Sequence, residues 1–207
     1  GPLAENHDEK NNGAYIVKIF DDVKDIIDGS LYWDLSDIYE EANFHYTPFH
    51  GGYGLFNVND VPKSSYNAFF LLNKLVGNEP QILWENKKDG IGAIAADGDG
   101  VLRILLYYYK EPDEKKSDKK ETVKIEITGI ESETAVCNVS SVDDESGSPY
   151  ELWKNIGKPD YVNIRILSKL LDKSQLHKSN YILYKGEEYT LSEKLSQGDI
   201  KLLEIKY

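Results

Sequence analysis

One stretch in the first third of the chain concentrates side chains that could bind or process a ligand. It contains a tryptophan, two adjacent carboxylates and two histidines: Trp33, Glu40, Glu41, His45 and His50. Carboxylates accept hydrogen bonds from hydroxyl groups. Flat aromatic faces cover sugar rings well because they are apolar with one polar tip. The combination predicts part of a carbohydrate-binding site.

Hydrolysis of a glycosidic bond would need more than these residues. Retaining glycosidases hold two carboxyl groups about 5 Å apart across the scissile bond. Glu40 and Glu41 are adjacent, and neighbouring side chains on an extended chain point to opposite sides, so we predict no catalytic residue and no turnover. The pair has two open interpretations, ligand binding or solvated acids on a loop. The histidines lack metal-ligand spacing, so we also predict no metal and no cofactor.

The residues that precede this stretch indicate how it would be held. Residues 30–35 form a short apolar run that predicts a strand ending in the polar loop. A strand followed by a long loop is how an α/β barrel builds the rim where ligands bind. Trp33 would be either the platform beneath a sugar or part of the barrel core. His50, beside two glycines, is placed at the site and is expected to fix the loop by hydrogen bonds.

Two helices are predicted on either side of the strand and its loop. Residues 8–24 carry apolar side chains at helical spacing, which gives one buried stripe. Residues 62–76 begin with Pro62, a residue suited to the first helical turn. This second helix is apolar nearly all round, so we expect it to be buried on two sides.

After residue 80 the pattern changes to short apolar runs separated by turn signals such as Asp89-Gly90. Such spacing predicts an antiparallel β-sandwich. The predicted strands cover residues 81–84, 91–96, 101–109, 122–128, 134–139, 181–184 and 200–205. A short helix is predicted at residues 163–173, and the charged residues 111–121 predict an exposed loop.

Composition describes an ordered globular protein and excludes several classes. The 207 residues are 40% hydrophobic and 12% aromatic, which is enough for a substantial core. A net charge of −12 argues against direct nucleic-acid binding, which needs a basic surface. No apolar run is long enough to span a membrane and no signal peptide is visible, so we expect a cytoplasmic protein. Cys137 has no second cysteine to pair with and is expected in the core.

Several blocks of the sequence resemble glycoside hydrolase family 39, which contains β-xylosidases and α-L-iduronidases. The match is specific because the blocks fall in family order at family-like spacing. The stronger blocks are Tyr32-Trp33, residues 36–41, residues 47–55, Pro62-Lys63, Tyr66 and Ala68-Phe69, and the weaker ones are residues 150–154, 157–159 and 200–205.

The resemblance implies the last part of a family-39 protein, of α+β class. Residues 1–80 would be the end of a (β/α)8 barrel, with its eighth strand and flanking helices, and residues 81–207 an accessory antiparallel β-sandwich. The matching glutamates of the family bind sugar hydroxyls, which makes Glu40 and Glu41 substrate-binding residues by resemblance. With Trp33 as the platform and His50 in the loop, the predicted substrate-binding residues are Trp33, Glu40, Glu41 and His50. The catalytic pair lies upstream, so the chain would bind a pentose or uronic acid weakly and pack against the upstream part of the same protein.

One departure from the family and one further resemblance leave an alternative. After Tyr32-Trp33 the family's enzymes usually carry a threonine and an aromatic residue, whereas this chain has Asp34 and Leu35. An extra acid beside the site shifts the local electrostatics and puts hydrolysis in doubt. Residues 104–109 also resemble regulators in which a family-39-like region follows an AraC-type DNA-binding domain. The alternative function is therefore a sugar-sensing or dimerisation module of a transcription regulator.

Two short patterns that suggest other chemistry are interpreted as structural. Asn78-Glu79-Pro80 matches the tripeptide that carries the acid/base glutamate in many barrel glycosidases, but here it follows a helix. We predict a turn, with Gly77 closing the helix. Residues 90–95 match a dinucleotide-binding fingerprint, yet no helix follows to bind a phosphate. A strand between two turns is predicted there.

Overall fold

A computed structural model of the chain describes residues 3–38, 45–112 and 119–207. These residues contain four α-helices and seven β-strands, preceded by a short 3-10 helix, Glu5–His7. The helices are α1 (Lys10–Val23), α2 (Ser64–Leu72), α3 (Tyr150–Asn155) and α4 (Ile164–Ser174). The strands are β1 (Ile91–Gly98), β2 (Val101–Tyr108), β3 (Glu121–Ile127), β4 (Thr134–Val142), β5 (His177–Tyr184), β6 (Tyr189–Leu195) and β7 (Ile200–Lys206).

The seven strands form two antiparallel sheets that share a core. The larger sheet has the order β1-β2-β7-β4-β5, and the smaller sheet consists of β3 and β6. Apolar side chains from both sheets form one buried cluster, including Ile104, Leu203 and Ile205 from the larger sheet and Val123 and Leu191 from the smaller. This packing is a β-sandwich. The predicted α+β class with an antiparallel sandwich is confirmed.

Helices α1 and α2 cover the other face of the larger sheet, so its central strands are apolar on both sides. On β2, Leu105 belongs to the cluster formed with the helices, whereas Ile104 and Leu106 belong to the sandwich core. Successive residues of a strand point to opposite faces, which explains the uninterrupted apolar run of β2. The helices approach closely at Gly13, where a Cβ atom would lie 2.8 Å from the carbonyl oxygen of Ser64.

Most of the predicted elements are present. The helices predicted at residues 8–24 and 163–173 are α1 and α4, and six of the seven predicted strands are found. The residues predicted as a strand at 81–84 form none, and instead line a groove between the two sheets. Strand β6 and helix α3 were not predicted. In β6 the alternating pattern is obscured because Glu193 occupies an inward position, where it pairs with Lys201 at 2.9 Å.

The prediction of a regular strand at residues 30–35 is wrong for this chain. The end of the segment is joined to the loop that follows it by two backbone hydrogen bonds of 3.1 Å, from Leu55 N–H to the Asp34 carbonyl and from Phe56 N–H to the Leu35 carbonyl, and by one parallel bridge between Ser36 and Phe56. A parallel strand is normally buried in a sheet with neighbours on both sides, and the described residues supply no such sheet. The apolar side chains consequently face solvent, with Leu31 100% exposed and Leu35 65% exposed.

Helix α2 is shorter and less buried than predicted. It ends at Leu72, and Gly77 lies beyond it against the backbone of Asp97 rather than closing the helix. Leu71 is fully buried, but its neighbour Phe70 is 43% exposed. The helix therefore buries one face against α1 and the larger sheet and leaves the other open. The predicted loop at 111–121 falls mainly on residues 113–118, outside the described residues.

Cys137 lies on β4 with its side chain fully buried in the sandwich core, as predicted. Burial raises the pKa of its thiol, which keeps the sulfur protonated and unreactive. Among the helices of the described ranges, none is long and apolar enough to cross a membrane. The described side chains also contain no group of three or more histidine, cysteine or acidic residues arranged to hold a metal ion.

Candidate functional site

The loop that follows residue 44 is held by a buried ion cluster centred on Lys63. The Lys63 ammonium donates to Asp8 Oδ1 at 2.8 Å and to Asp37 Oδ2 at 2.9 Å. It also donates to the backbone carbonyl of Gly52 at 2.8 Å. All three charged side chains are removed from solvent. Buried charges occur when they are paired and hydrogen-bonded, and this cluster meets both conditions.

The two carboxylates also bind the backbone of the loop directly. Gly51 N–H donates to Asp8 at 2.6 Å, and Gly54 N–H donates to Asp37 at 2.6 Å. A Cβ atom on Gly52 would collide with the Asp37 carboxylate, so the close approach requires glycine at that position. The glycine-rich sequence of the loop is thus explained by a backbone that wraps around two buried acids.

The charges of the cluster shift its protonation equilibria. Burial raises the pKa of Asp8, and the Lys63 ammonium opposes that shift only in part. Burial alone would lower the pKa of Lys63, but the Asp8 and Asp37 carboxylates outweigh burial and raise it. Lys63 is therefore held as a cation, as it must be to stabilise two buried carboxylates.

A second contact fastens the same loop to the sandwich region. Phe49 is buried against α3, with ring centroids 5.7 Å from Tyr150 and 5.4 Å from Trp153. Thr47 Oγ1 donates to Asp160 at 3.0 Å. The loop is consequently fixed from both directions, by the Lys63 cluster on one side and by an aromatic cluster on the other.

Trp33 lies in the solvent-facing segment before this loop. Its side chain is 69% exposed, so it is not part of the core of the described chain. Its neighbour Tyr32 donates its hydroxyl to the Tyr53 carbonyl at 2.9 Å and packs on Phe69 with centroids 5.1 Å apart. The Trp33–Asp34 peptide bond is cis. The segment is therefore anchored to the loop through the Tyr32 side chain and the backbone of Asp34 and Leu35, while Trp33 remains mostly exposed.

His50 contributes one unpartnered polar atom to the loop. Its Nδ1 lies 3.1 Å from the Thr47 carbonyl oxygen, and its ring stacks on His45 with centroids 4.6 Å apart. Since a carbonyl only accepts, Nδ1 is the donor in this contact, and Nε2 is the acceptor of the ring when it carries a single proton. Nε2 is buried and has no hydrogen-bond partner among the residues that the structure describes. It is able to accept a hydrogen bond from a hydroxyl group brought to the loop.

The four residues predicted to bind a ligand are only partly placed by the structure. Glu40 and Glu41 lie in residues 39–44, outside the described residues, and their role stays a prediction. Between Trp33 and His50 the described contacts include no hydrogen bond or ring stacking. Both nevertheless belong to segments anchored to the same loop, because Tyr32 binds Tyr53 next to the glycines that follow His50.

Sequence reasoning did not assign a role to the residues that hold the loop. Lys63 and Asp37 stood within the blocks that carry the family resemblance, so a signal was present, although no role was attached to it. Asp8 had no signal, because it lies 55 residues from Lys63 in the sequence. The same is true of His7, whose Nδ1 lies 2.7 Å from the Gly51 carbonyl oxygen.

The tripeptide at residues 78–80 forms a structural connection. Asn78 and Asp97 exchange two backbone hydrogen bonds of 2.8 Å, which ties the connection to the end of β1. Glu79 forms an exposed ion pair with Lys24. Glu79 is therefore a surface residue held in a salt bridge, in agreement with the structural interpretation of this tripeptide.

The sequence of this chain is similar to those of known proteins. Residues 1–180 match the sequence model of the family described as glycosyl hydrolases family 39. A β-xylosidase of Caldicellulosiruptor saccharolyticus is 34% identical over 178 residues, which are 86% of this chain and 36% of that protein. A β-xylosidase of Geobacillus stearothermophilus is 28% identical over 210 residues, covering 99% of this chain and 39% of that protein. The chain thus spans little more than a third of these relatives.

A solved structure shares the fold over the whole chain. The crystal structure of a monomeric β-xylosidase from Caulobacter crescentus CB15 superposes with a TM-score of 0.86 at 24% identity. The match covers 100% of this chain and 43% of that one. At this identity the likeness concerns the fold, which is that of the corresponding part of the larger enzyme.

Proposed function

Because this chain belongs to glycoside hydrolase family 39, we propose that it is the C-terminal portion of a β-xylosidase-like glycosidase. In this proposal residues 1–80 complete a (β/α)8 barrel and residues 81–207 form an accessory β-sandwich. The chain supplies part of a sugar-binding rim and is not catalytic alone, because the described residues offer no carboxylate pair placed across a glycosidic bond.

The observation that carries the proposal is an apolar segment left open beside an anchored loop. Leu31, Trp33 and Leu35 are all exposed, whereas the loop they adjoin is fixed by the buried Lys63 cluster. Contiguous exposed apolar surface marks an interaction site, and a barrel strand is normally buried on both faces. The proposed partner of this segment is the upstream part of the same protein, which would supply the other barrel strands.

The ligand proposed for the rim is a pentose or a uronic acid, bound weakly by this portion alone. The open indole of Trp33 would stack on the sugar ring, and Glu40 and Glu41 would accept hydrogen bonds from its hydroxyl groups. The unpartnered Nε2 of His50 is a further acceptor that supports the same ligand class. A pentose agrees with the β-xylosidase relatives. No described feature favours the regulator alternative.

The proposal is tested by producing the chain with and without the upstream part of its reading frame. Aryl β-xylosides should be hydrolysed only when both parts are present, and Leu31→Asp in this chain should weaken that complementation because the segment must be buried. Turnover by this chain alone that disappears in Glu79→Gln would contradict the assignment of the catalytic pair to the missing part. An upstream sequence encoding helix-turn-helix motifs would support the regulator instead.

A further inference from the structure

Strand β5 is an edge strand whose outer side is open in the described chain. It pairs with β4 over eight residue pairs, from Thr134–Tyr184 to Ser141–His177, and stands last in the larger sheet. Its side chains are mostly exposed, including Ile182 at 56% and Tyr184 at 73%. An edge strand presents unpaired backbone N–H and C=O groups that can pair with another strand.

The backbone groups that face outward on β5 can be identified. Lys185 N–H donates to the Glu133 carbonyl at 3.0 Å, so Lys185 directs its backbone groups toward β4. Along an antiparallel pair the residues alternate between those bonded to the neighbour and those facing away. The outward-facing residues of β5 are therefore Lys178, Asn180, Ile182 and Tyr184.

The composition of β5 lacks the features that normally block such an edge. Protected edges carry prolines, bulges or several charges, or are covered by another element. Residues 179–184 are uncharged, contain no proline, and end in the sequence Tyr-Ile-Leu-Tyr, which has high strand propensity. The protein as a whole carries a net charge of −12, but β5 has no acidic residue. Two copies that meet at this strand therefore bring no acidic side chains of β5 together.

We propose that β5 pairs antiparallel with β5 of a second copy of this chain, around a two-fold axis at Tyr181. The two larger sheets then join into one continuous sheet. Both smaller sheets lie on the same side of this continuous sheet. In this register Asn180 lies opposite Ile182 of the partner subunit, and Lys178 lies opposite Tyr184 of the partner subunit. All four outward-facing residues pair, each pair exchanging two N–H···O=C bonds.

Neighbouring registers are less favourable. An axis one residue earlier, at Asn180, would leave the outward groups of Tyr184 without a strand partner. The axis at Tyr181 also places no like charges directly opposite each other among the four pairs. The Lys178 ammonium instead lies beside the Tyr184 ring of the partner subunit, where a cation and an aromatic face attract.

The first test compares two lysine substitutions by sedimentation velocity of the 207-residue chain over a range of concentrations. Ile182→Lys brings the new ammonium diagonal to Lys178 of the partner subunit, so the dimer dissociation constant should rise at least about tenfold. Val136→Lys is the matched control, because Val136 pairs with Ile182 across the strands but lies one strand inside the edge, 43% exposed. It should change the dissociation constant by less than about twofold.

The second test reads the register by disulfide formation. Asn180→Cys and Ile182→Cys chains are mixed under mild oxidation and resolved on a non-reducing gel. Directly opposed hydrogen-bonded residues have Cα atoms about 5.5 Å apart, within disulfide range. The mixture should therefore give a cross-linked heterodimer. In a dimer of either variant alone, the two introduced cysteines are diagonal to each other and should cross-link poorly. Cys137 is fully buried and does not compete.

Two outcomes would overturn the proposal. One is a chain that sediments as a monomer at every concentration. The other is a dimer that Ile182→Lys leaves intact and that gives no mixed disulfide, since the copies would then associate through the apolar segment around Leu31 and Trp33. A dimer weakened by Ile182→Lys alone, together with the mixed disulfide, would support β5 as the interface.

Discussion

At the scale of single residues, the geometry of the loop that follows residue 44 depends on Lys63. One ammonium neutralises two carboxylates, and those carboxylates hold the backbone of Gly51 and Gly54. The cluster carries one more negative than positive charge in a site closed to solvent. Removing the cation would leave both acids unpaired, and an unpaired buried charge is far more unfavourable than an unpaired exposed one.

Lys63→Met should therefore destabilise the chain by about 3–5 kcal/mol, the range found when one partner of a buried ion pair is removed. The free energy of unfolding from urea melts measures the effect. Lys24→Met is the matched control, because Lys24 pairs at the surface with Asp25 and Glu79 and should change stability by less than about 1 kcal/mol. Equal small losses in both variants would contradict the structural importance given to the cluster.

The loss in Lys63→Met should also depend on pH. Burial already raises the pKa of Asp8 in the folded chain, and removal of the cation raises it further. A carboxyl whose folded-state pKa lies above its unfolded value binds a proton on folding, so lower pH favours the folded state. The difference in unfolding free energy between parent and variant should shrink as pH falls from 7 toward 5. A difference that is constant over this range would show that the acids stay ionised.

At the scale of elements, most strands of the sandwich were predictable and the structure of residues 30–35 was not. Apolar runs between glycine turns indicate strands β1 and β2 in the sequence, and a further apolar run indicates β7. Strand β6 was missed because Glu193 faces inward and is satisfied by Lys201 and Tyr181, contacts that no local pattern reveals. Residues 30–35 have the composition of a strand, but a strand also needs a partner.

The Lys63 cluster could not be predicted from local sequence patterns either, because its members are far apart in the sequence. Its members come from the segment before α1, the solvent-facing segment and the start of α2. Asp37 and Lys63 are 26 residues apart, and Asp8 and Lys63 are 55 apart. The glycines at 51 and 52 were visible in the sequence, whereas the acids that require them could be recognised only from the fold.

Helix α2 offers a test of which face is buried. Leu71 is fully enclosed between α1 and the larger sheet, whereas the adjacent Phe70 is exposed on the far side. Leu71→Ala should reduce the free energy of unfolding by about 2–5 kcal/mol, and Phe70→Ala by less than about 1 kcal/mol. Comparable losses at both positions in urea melts would show that the helix is buried on two sides, as its sequence suggests.

At the scale of the whole molecule, the chain combines a closed sandwich with an open apolar segment. The sandwich and both flanking helices have continuous buried clusters. By contrast, Leu31, Trp33 and Leu35 are exposed together near the anchored loop. This asymmetry supports the proposal that the open segment packs against an upstream part of the same protein.

The open segment should bind a hydrophobic dye. The double substitution Leu31→Ser and Leu35→Ser should lower the fluorescence of bound 8-anilinonaphthalene-1-sulfonate at unchanged urea midpoint, because both side chains are exposed. Ile164→Ser, at a position on α4 whose exposure lies between those of Leu31 and Leu35, should have little effect on dye binding. If all three substitutions lowered the signal alike, the segment would not be a distinct apolar surface.

Titration of the chain with xylose and glucuronate tests the proposed sugar binding at Trp33 and Glu41. Tryptophan fluorescence should show a saturable change with half-saturation in the millimolar range. This corresponds to about 4 kcal/mol, which one stacked ring and one or two charge-assisted hydrogen bonds can supply. Trp33→Ala and Glu41→Gln should abolish the response, and His177→Ala on β5 should not. Absence of a response to either sugar in the parent chain, with Trp33→Ala lowering the unfolding free energy by about 3–5 kcal/mol, would contradict this proposal.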